Sequence, residues 1–169
     1  MYLEMVEINE LDFSPYGRYL CTPKAREAEI NTGYSRCWGQ EYTLPLGEMR
    51  FGVEEVDYRH TLSIDKLEQH RESKEVVICG DHPVVIALCL PRDKANRHEQ
   101  PKIEDIVAVK IYPGDILVLD EYIWHSGCMP LEQATYYFFM YKVRDEELYW
   151  VEIAGGPIEL KIGGESHGT

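Results

Sequence analysis

Four side chains in two stretches of this chain have the types and spacing to share one metal ion. The first stretch, residues 61–75 (TLSIDKLEQHRESKE), carries Glu68, His70 and Glu75. The second, residues 114–127 (GDILVLDEYIWHSG), carries His125. In a strand, side chains at i and i+2 leave the same face, so Glu68 and His70 enter the same space if either does. Arg71, Glu72, Ser73 and Lys74 make a polar turn, and Glu75 opens the apolar run Val76-Val77-Ile78-Cys79. A tight turn there returns Glu75 to the same pocket from the neighbouring strand. His125 has to arrive from a strand far along the chain. Two imidazoles and two carboxylates suit a hard or borderline divalent ion such as Mn, Fe, Ni or Zn.

The elements that must position these residues read as short strands. Residues 1–12 form an early strand or short helix. Thr22-Pro23 followed by residues 24–29 reads as an N-cap, a Pro at the first helical position and about two turns of helix, ended by Asn31-Thr32-Gly33. Met49, Phe51 and Val53 alternate with Arg50, Gly52 and Glu54, the pattern of a half-buried strand. Residues 58–64 read as another, leading through Asp65, Lys66 and Leu67 into the Glu68 strand. The run 84–90 is apolar almost throughout and is ended by Pro91, as a core strand would be. Residues 92–101 form a polar loop, 103–106 a helical turn, and 107–111 a strand. Pro113-Gly114-Asp115 makes a turn into strand 116–119. Residues 135–143 are the last clear strand, and 148–153 either pair with it or cover an end of the barrel. Many short strands with frequent turns predict an antiparallel β-barrel or sandwich with one or two short helices. Residues 163–169 read as a frayed tail.

The remaining polar residues have plainer readings. His60, His82, His98 and His167 lack partners at ligand spacing. Arg50, Arg59, Arg71 and Lys74 could bind a carboxylate, but read as solvated surface charges. Glu54-Glu55 and Asp145-Glu146-Glu147 read as solvated faces, and Tyr136, Tyr137, Phe138, Phe139 and Tyr141 as barrel core.

At 169 residues, 44% of them hydrophobic, the chain is long enough for one domain with a core of ordinary size. A formal charge of −13 argues against non-specific binding to nucleic acid or to an anionic membrane. An acidic small-molecule substrate would need a local cation, which a bound metal would supply. The five cysteines (Cys21, Cys37, Cys79, Cys89, Cys128) are odd in number and form no CxxC pair; Cys79 and Cys89 lie in apolar runs as small buried hydrophobes. That usage fits a reducing compartment. The first residues lack the basic and apolar regions of a signal peptide, and no apolar run approaches 18 residues, so a soluble cytoplasmic protein is expected.

The two stretches resemble the cupin motifs G-x5-H-x-H-x4-E and G-x5-P-x-G-x2-H. The first reads Glu68-x-His70-x4-Glu75, with Glu68 in place of the first His and Leu62 in place of the leading Gly. The second reads Gly114-x5-Asp120-x-Tyr122-x2-His125, keeping the Gly and His and replacing the Pro and inner Gly. Within cupins the chain is most similar to the ureidoglycolate lyases, in three segments: Phe13-Ser14-Pro15-Tyr16-Gly17, Glu68-Gln69-His70, and Gly114-Asp115-Ile116 through Ile123-Trp124-His125. The likeness spans roughly residues 13–145. It departs where Glu75 replaces the family's Gln and where Ser126-Gly127-Cys128 follows His125.

The resemblance implies a cupin-type barrel (a double-stranded β-helix, or jelly roll) that pairs into a homodimer. It implies a divalent metal held by Glu68, His70, Glu75 and His125, and cleavage of ureidoglycolate into glyoxylate and urea. In that reaction the metal would bind the substrate's carboxylate and alkoxide, and the same four side chains compete for the roles of ligand, base and acid. Two alternatives stay open: a cupin acting on a sugar or hydroxy acid, such as an isomerase, and a non-catalytic cupin that binds a small ligand.

Overall fold

The all-apolar run Val84–Cys89 forms a strand with every residue buried, as the sequence predicts for a strand covered on both faces. Val84, Ile86 and Leu88 enter one apolar cluster, and Val85, Ala87 and Cys89 enter another. The computed structural model describes residues 2–21, 27–28, 30–31, 36–37, 49–96, 98–142 and 149–161.

In chain order the strands are β1 (Tyr2–Glu7), β2 (Gly17–Leu20), β3 (Ile30–Asn31), β4 (Arg36–Cys37), β5 (Met49–Val56), β6 (Leu62–Ile64), β7 (Lys66–Gln69) and β8 (Glu75–Cys79). They continue as β9 (Val84–Cys89), β10 (Ile106–Ile111), β11 (Ile116–Leu119), β12 (Trp124–His125), β13 (Met129–Pro130), β14 (Thr135–Lys142), β15 (Tyr149–Glu152) and β16 (Ile158–Lys161). The helical content among the described residues is two single 3-10 turns, Ile8–Glu10 and Ile103–Asp105. The second is the expected helical turn. Four of the six residues of the helix expected at 24–29 lie outside the described residues, as does the whole of the tail, and Glu27-Ala28 lie in no element.

Nine strands form one sheet in the order β15-β7-β12-β9-β10-β1-β16-β6, with β13 also on β9. The sheet is mixed rather than wholly antiparallel, because β1 lies parallel to both β10 and β16. Asp65 alone separates β6, at one end of that order, from β7, near the other. One short segment can serve both ends only if the sheet curls on itself. The inside of the curl is apolar: Leu62, Ile64, Leu67, Ala87, Trp124 and Ile158 are all buried there. Burying each large side chain of this kind contributes about 1.5–3 kcal/mol.

The second sheet has the order β2-β11-β8-β14-β5. Its Val77, Cys79, Leu117, Leu119 and Tyr137 pack with Val84, Ile86, Leu88, Val109 and Ile111 of the curled sheet. The architecture is therefore mainly β, with two sheets packed face to face across this second apolar cluster.

Three expectations about strands change. In the segment 148–153, β15 pairs with β7 of the curled sheet and not with β14. Only Leu62–Ile64 of the segment 58–64 is strand; Tyr58 turns its ring edge-on to His60, with centroids 5.2 Å apart, before the strand begins. β7 and β8 are not neighbours: both edges of β7 are taken, by β12 and β15, so the turn after His70 carries the chain to the other sheet.

Candidate metal centre

The alternation along each strand decides what reaches the space between the sheets. On β7, Leu67 enters the curl, so Glu68 leaves on the opposite face, and His70, just past the strand end, follows at i+2. On β12, Trp124 is buried inside the curl and His125 points the other way, directly across from Glu68 and Leu88. On β8, Glu75 shares a face with Val77 and Cys79, which line the cluster between the sheets. A carboxylate thus occupies a core position where the apolar layer ends.

Glu68, His70, Glu75 and His125 therefore converge, with one ligand atom from each lying within 4.8 Å of all the others. Glu75 Oε2 is 2.6 Å from His125 Nε2 and 3.1 Å from His70 Nε2. Glu68 stands further back, with Oε1 3.5 Å from His125 Nε2 and Oε2 4.0 Å from His70 Nε2. His125 is only 3% exposed. Its Nδ1 lies 3.0 Å from the Ile123 carbonyl, which holds a proton on Nδ1 and turns Nε2 toward the cluster. Glu75 Oε2 and His125 Nε2 are both buried without a partner in hydrogen-bonding geometry, despite their closeness. Buried polar atoms are seldom left this way. A carboxylate oxygen and an imidazole nitrogen held this close are what a cation could satisfy, so these four side chains could hold a metal ion.

The two segments are clasped together beside the cluster. Tyr122 N–H donates to the His70 carbonyl at 2.8 Å, and Gln69 Nε2 donates to the Tyr122 carbonyl at 2.7 Å. Tyr122 takes the left-handed backbone at φ 72°, rare for a residue with a side chain. Lys74, in the turn before Glu75, pairs with Asp120 in the turn before His125.

Charge at the cluster is strongly coupled. Burial disfavours an ionised Glu75, but the His125 charge and the closeness of both imidazoles outweigh it and bring the carboxyl down to about 2. Burial also works against a charged His125, yet Glu75 and then Glu68 lift it to about 9. Glu68 is pushed up, first by burial, with the Glu75 and Glu54 charges adding and the two histidines opposing.

Several residues beside the cluster carry roles that sequence reading missed. The apolar positions of β5 do not face inward: Phe51 is 61% and Val53 58% exposed. Its polar positions sit in register with the inward residues of β14, as Arg50 opposite Tyr141, Gly52 opposite Phe139 and Glu54 opposite Tyr137. The Phe139 ring lies over Gly52, where a Cβ would come within 2.3 Å of its tip. Tyr137 donates its hydroxyl to Glu54 at 2.6 Å, so Glu54 is not a purely solvated charge. Of the aromatic run on β14, Tyr137 alone is buried; Tyr141 stacks on His70, with centroids 5.3 Å apart and planes 17° off parallel. The available signal was the strict alternation of β5, which shows two faces but not which one meets a polar site.

The other sequence candidates lie elsewhere. Arg71 donates to the Asn96 carbonyl, and His82 lies beside Asp81 and Gln133 on the surface. Cys21, Cys79, Cys89 and Cys128 are free thiols, and burial pushes Cys79 and Cys89 up to about 12. No helix among the described residues is long and apolar enough to cross a membrane. No protein-family model matches the chain, and no curated protein matches it either.

Proposed function

We propose that the protein is a metal-dependent enzyme of the cupin type that cleaves ureidoglycolate into glyoxylate and urea. The observation that carries this reading is the convergence of Glu68, His70, Glu75 and His125 from two segments at cupin spacing, with partnerless buried atoms facing one another. Tyr122 adds support: it stands where the second cupin motif has its inner Gly and adopts the left-handed backbone that a Gly would take there.

His70, Glu75 and His125 would hold the ion, being closest together and, in Glu75, firmly ionised. Mn, Fe, Ni or Zn all suit this donor set. A bound divalent ion would act as a Lewis acid on the substrate's oxygens and offset charge developing on them. Glu68, set back from the other three and with its proton affinity raised, suits a base. Its carboxylate takes the hydroxyl proton of the carbinol, the C–O bond becomes a carbonyl, and the C–N bond breaks with its electron pair on the urea nitrogen. Protonated Glu68 returns that proton to the leaving nitrogen, so the residue ends as it began. The buried walls, Leu88 and Leu119 among them, keep bulk water away from the exchange.

The test is metal content and turnover measured together. Purified protein is expected to carry a stoichiometric divalent ion that His70→Ala and His125→Ala variants lack, and to release urea from ureidoglycolate only when loaded. Glu68→Gln should keep the metal and lose the turnover. Equal metal content in wild type and both histidine variants would remove the centre. Metal binding without urea release would leave the centre and remove this substrate, favouring the sugar or hydroxy-acid isomerase or the ligand-binding cupin.

A further inference from the structure

We infer that Arg50, together with the Tyr141 hydroxyl, is the anion-binding end of the pocket: it receives the carboxylate of a small ligand whose hydroxyl or carbonyl oxygens reach the four-residue cluster. This rests on reading that cluster as a metal centre. For ureidoglycolate it places the carboxylate on Arg50 and turns the carbinol and ureido oxygens toward the cluster.

Register places Arg50 beside the site. Arg50, Tyr141 and Glu75 lie directly opposite one another on β5, β14 and β8, and so share the inward face of their sheet. Tyr141 is the ring that separates Arg50 from the cluster. One face of it stacks on His70, and it also stacks on Phe139 at 5.9 Å. Arg50 donates from Nη1 to the Tyr141 hydroxyl at 3.3 Å, and its guanidinium carbon lies 5.9 Å from the centre of the same ring.

What Arg50 lacks is as telling as what it touches. The chain carries 30 acidic residues against 17 basic ones. Even so, no carboxylate lies within ion-pair distance of Arg50 among the described residues. The cations flanking the two ligand segments are already engaged, Lys74 with Asp120 and Arg71 with the Asn96 carbonyl. A guanidinium offers five N–H donors in a planar fork that matches a carboxylate, and one contact to a phenol leaves most of that fork available. The stacked ring fixes where the fork stands.

Charge gives the need for it. Glu68 and Glu75 in the cluster and Glu54 at its edge present three carboxyl groups, and a divalent ion offsets two charges at most. An incoming carboxylate therefore meets a negative pocket unless a further cation lies beside it. Arg50 supplies that cation from an exposed position, held at the Tyr141 ring that stacks on His70.

The test uses the full chain loaded with Mn²⁺ and two probes with the same hydroxyl: lactate, which has a carboxylate for Arg50, and lactamide, whose amide is neutral. Calorimetry on wild type should show lactate binding about tenfold or more tightly than lactamide. Arg50→Gln should remove most of that preference while leaving Mn²⁺ and lactamide affinities unchanged. Arg50→Lys should restore part of it, and Tyr141→Phe, which keeps the stack and removes the hydroxyl, should reduce it less than Arg50→Gln. Wild type with no preference for lactate, or a preference that survives Arg50→Gln in full, overturns the assignment of Arg50 and leaves the metal centre standing. Wild type that binds no Mn²⁺ overturns both.

Discussion

The buried floor of the cluster, at Glu75 and His125, and its exposed mouth, at Arg50 and Glu54, are built differently. Glu68, Glu75 and His125 lie on strands hydrogen-bonded on both sides: β7 between β15 and β12, β8 between β11 and β14, β12 between β7 and β9. Arg50 and Glu54 lie on β5, the last strand of its sheet among the described residues, and are held through the side chains of Tyr141 and Tyr137. Ligands to a metal must be placed within a fraction of an ångström, which paired strands provide. A residue that meets a variable, solvent-facing ligand can be placed through a stacked ring instead. The difference teaches that the floor is specified by backbone register and the mouth by side-chain contacts, so substitutions in the two should fail in different ways.

The largest expected difference is in metal affinity. His125→Ala or Glu75→Ala on the floor should weaken Mn²⁺ or Zn²⁺ binding by more than about 100-fold, beyond what disturbing a supporting contact does. Glu54→Gln or Tyr137→Phe at the mouth should change it by less than about threefold, as expected of a distant, solvent-screened charge. Competition with a chelating dye measures both, and equal losses at floor and mouth would erase the distinction.

Next in size is the pH dependence of the metal-free protein, which reports on the floor alone. His125 is raised from an ordinary 6.5 to about 9, so its pairing stabilises fully below pH 6.5 and is lost as pH rises through 9. Glu75 is lowered from 4.5 to about 2, so its contribution is full above pH 4.5 and is lost as pH falls through 2. Both act together between about pH 4.5 and 6.5. Urea unfolding in the presence of a chelator should show stability at pH 5.5 exceeding that at pH 9.5 by roughly 3 kcal/mol. His125→Gln should flatten this difference, and a slope that survives it would assign the titration to another group.

Two glycines separate backbone from side-chain constraint further. A Cβ at Gly17 would meet the Val118 carbonyl oxygen at 1.9 Å, at φ 143°, whereas one at Gly52 would meet only the tip of the Phe139 ring. Gly17→Ala should therefore cost about 2–3 kcal/mol, because neither strand backbone can move aside. Gly52→Ala should cost about 1 kcal/mol, since the side chain of Phe139 can swing aside, and should loosen the mouth rather than the fold. Urea midpoints of the two variants compare them directly.

The smallest effect tests which way β5 faces. Val53→Ala should change stability by less than about 0.5 kcal/mol, while Val77→Ala, buried on the inward side of the same sheet, should cost about 2 kcal/mol. A large loss at Val53 would mean that its outer face is covered by a partner in solution.

Most of the floor could be read from the chain. The i, i+2 spacing put Glu68 and His70 on one face, and the all-apolar run at Val84–Cys89 gave the doubly covered strand beside His125. The mouth could not be read, for a definite reason. Hydrophobic alternation marks two faces of a strand, and the inward one is usually apolar, but β5 turns Phe51 and Val53 outward and Arg50 and Glu54 toward the pocket. The same limit hid the route of the chain after His70. A polar turn between two strands looks alike whether it makes a hairpin or passes to another sheet.

By itself the sequence determined which side chains could share a cation, and that short strands would carry them, because residue type and local periodicity are properties of a few neighbouring positions. The tertiary structure alone decided that β7 and β8 belong to opposite sheets, that the large sheet curls so that β6 and β7 serve its two ends, and that Tyr141 stacks on His70 with Arg50 at its hydroxyl. Those outcomes depend on which strand edges are already taken and on which face finds a polar neighbour. Both are settled by pairings between residues far apart in the chain, where local pattern carries no information.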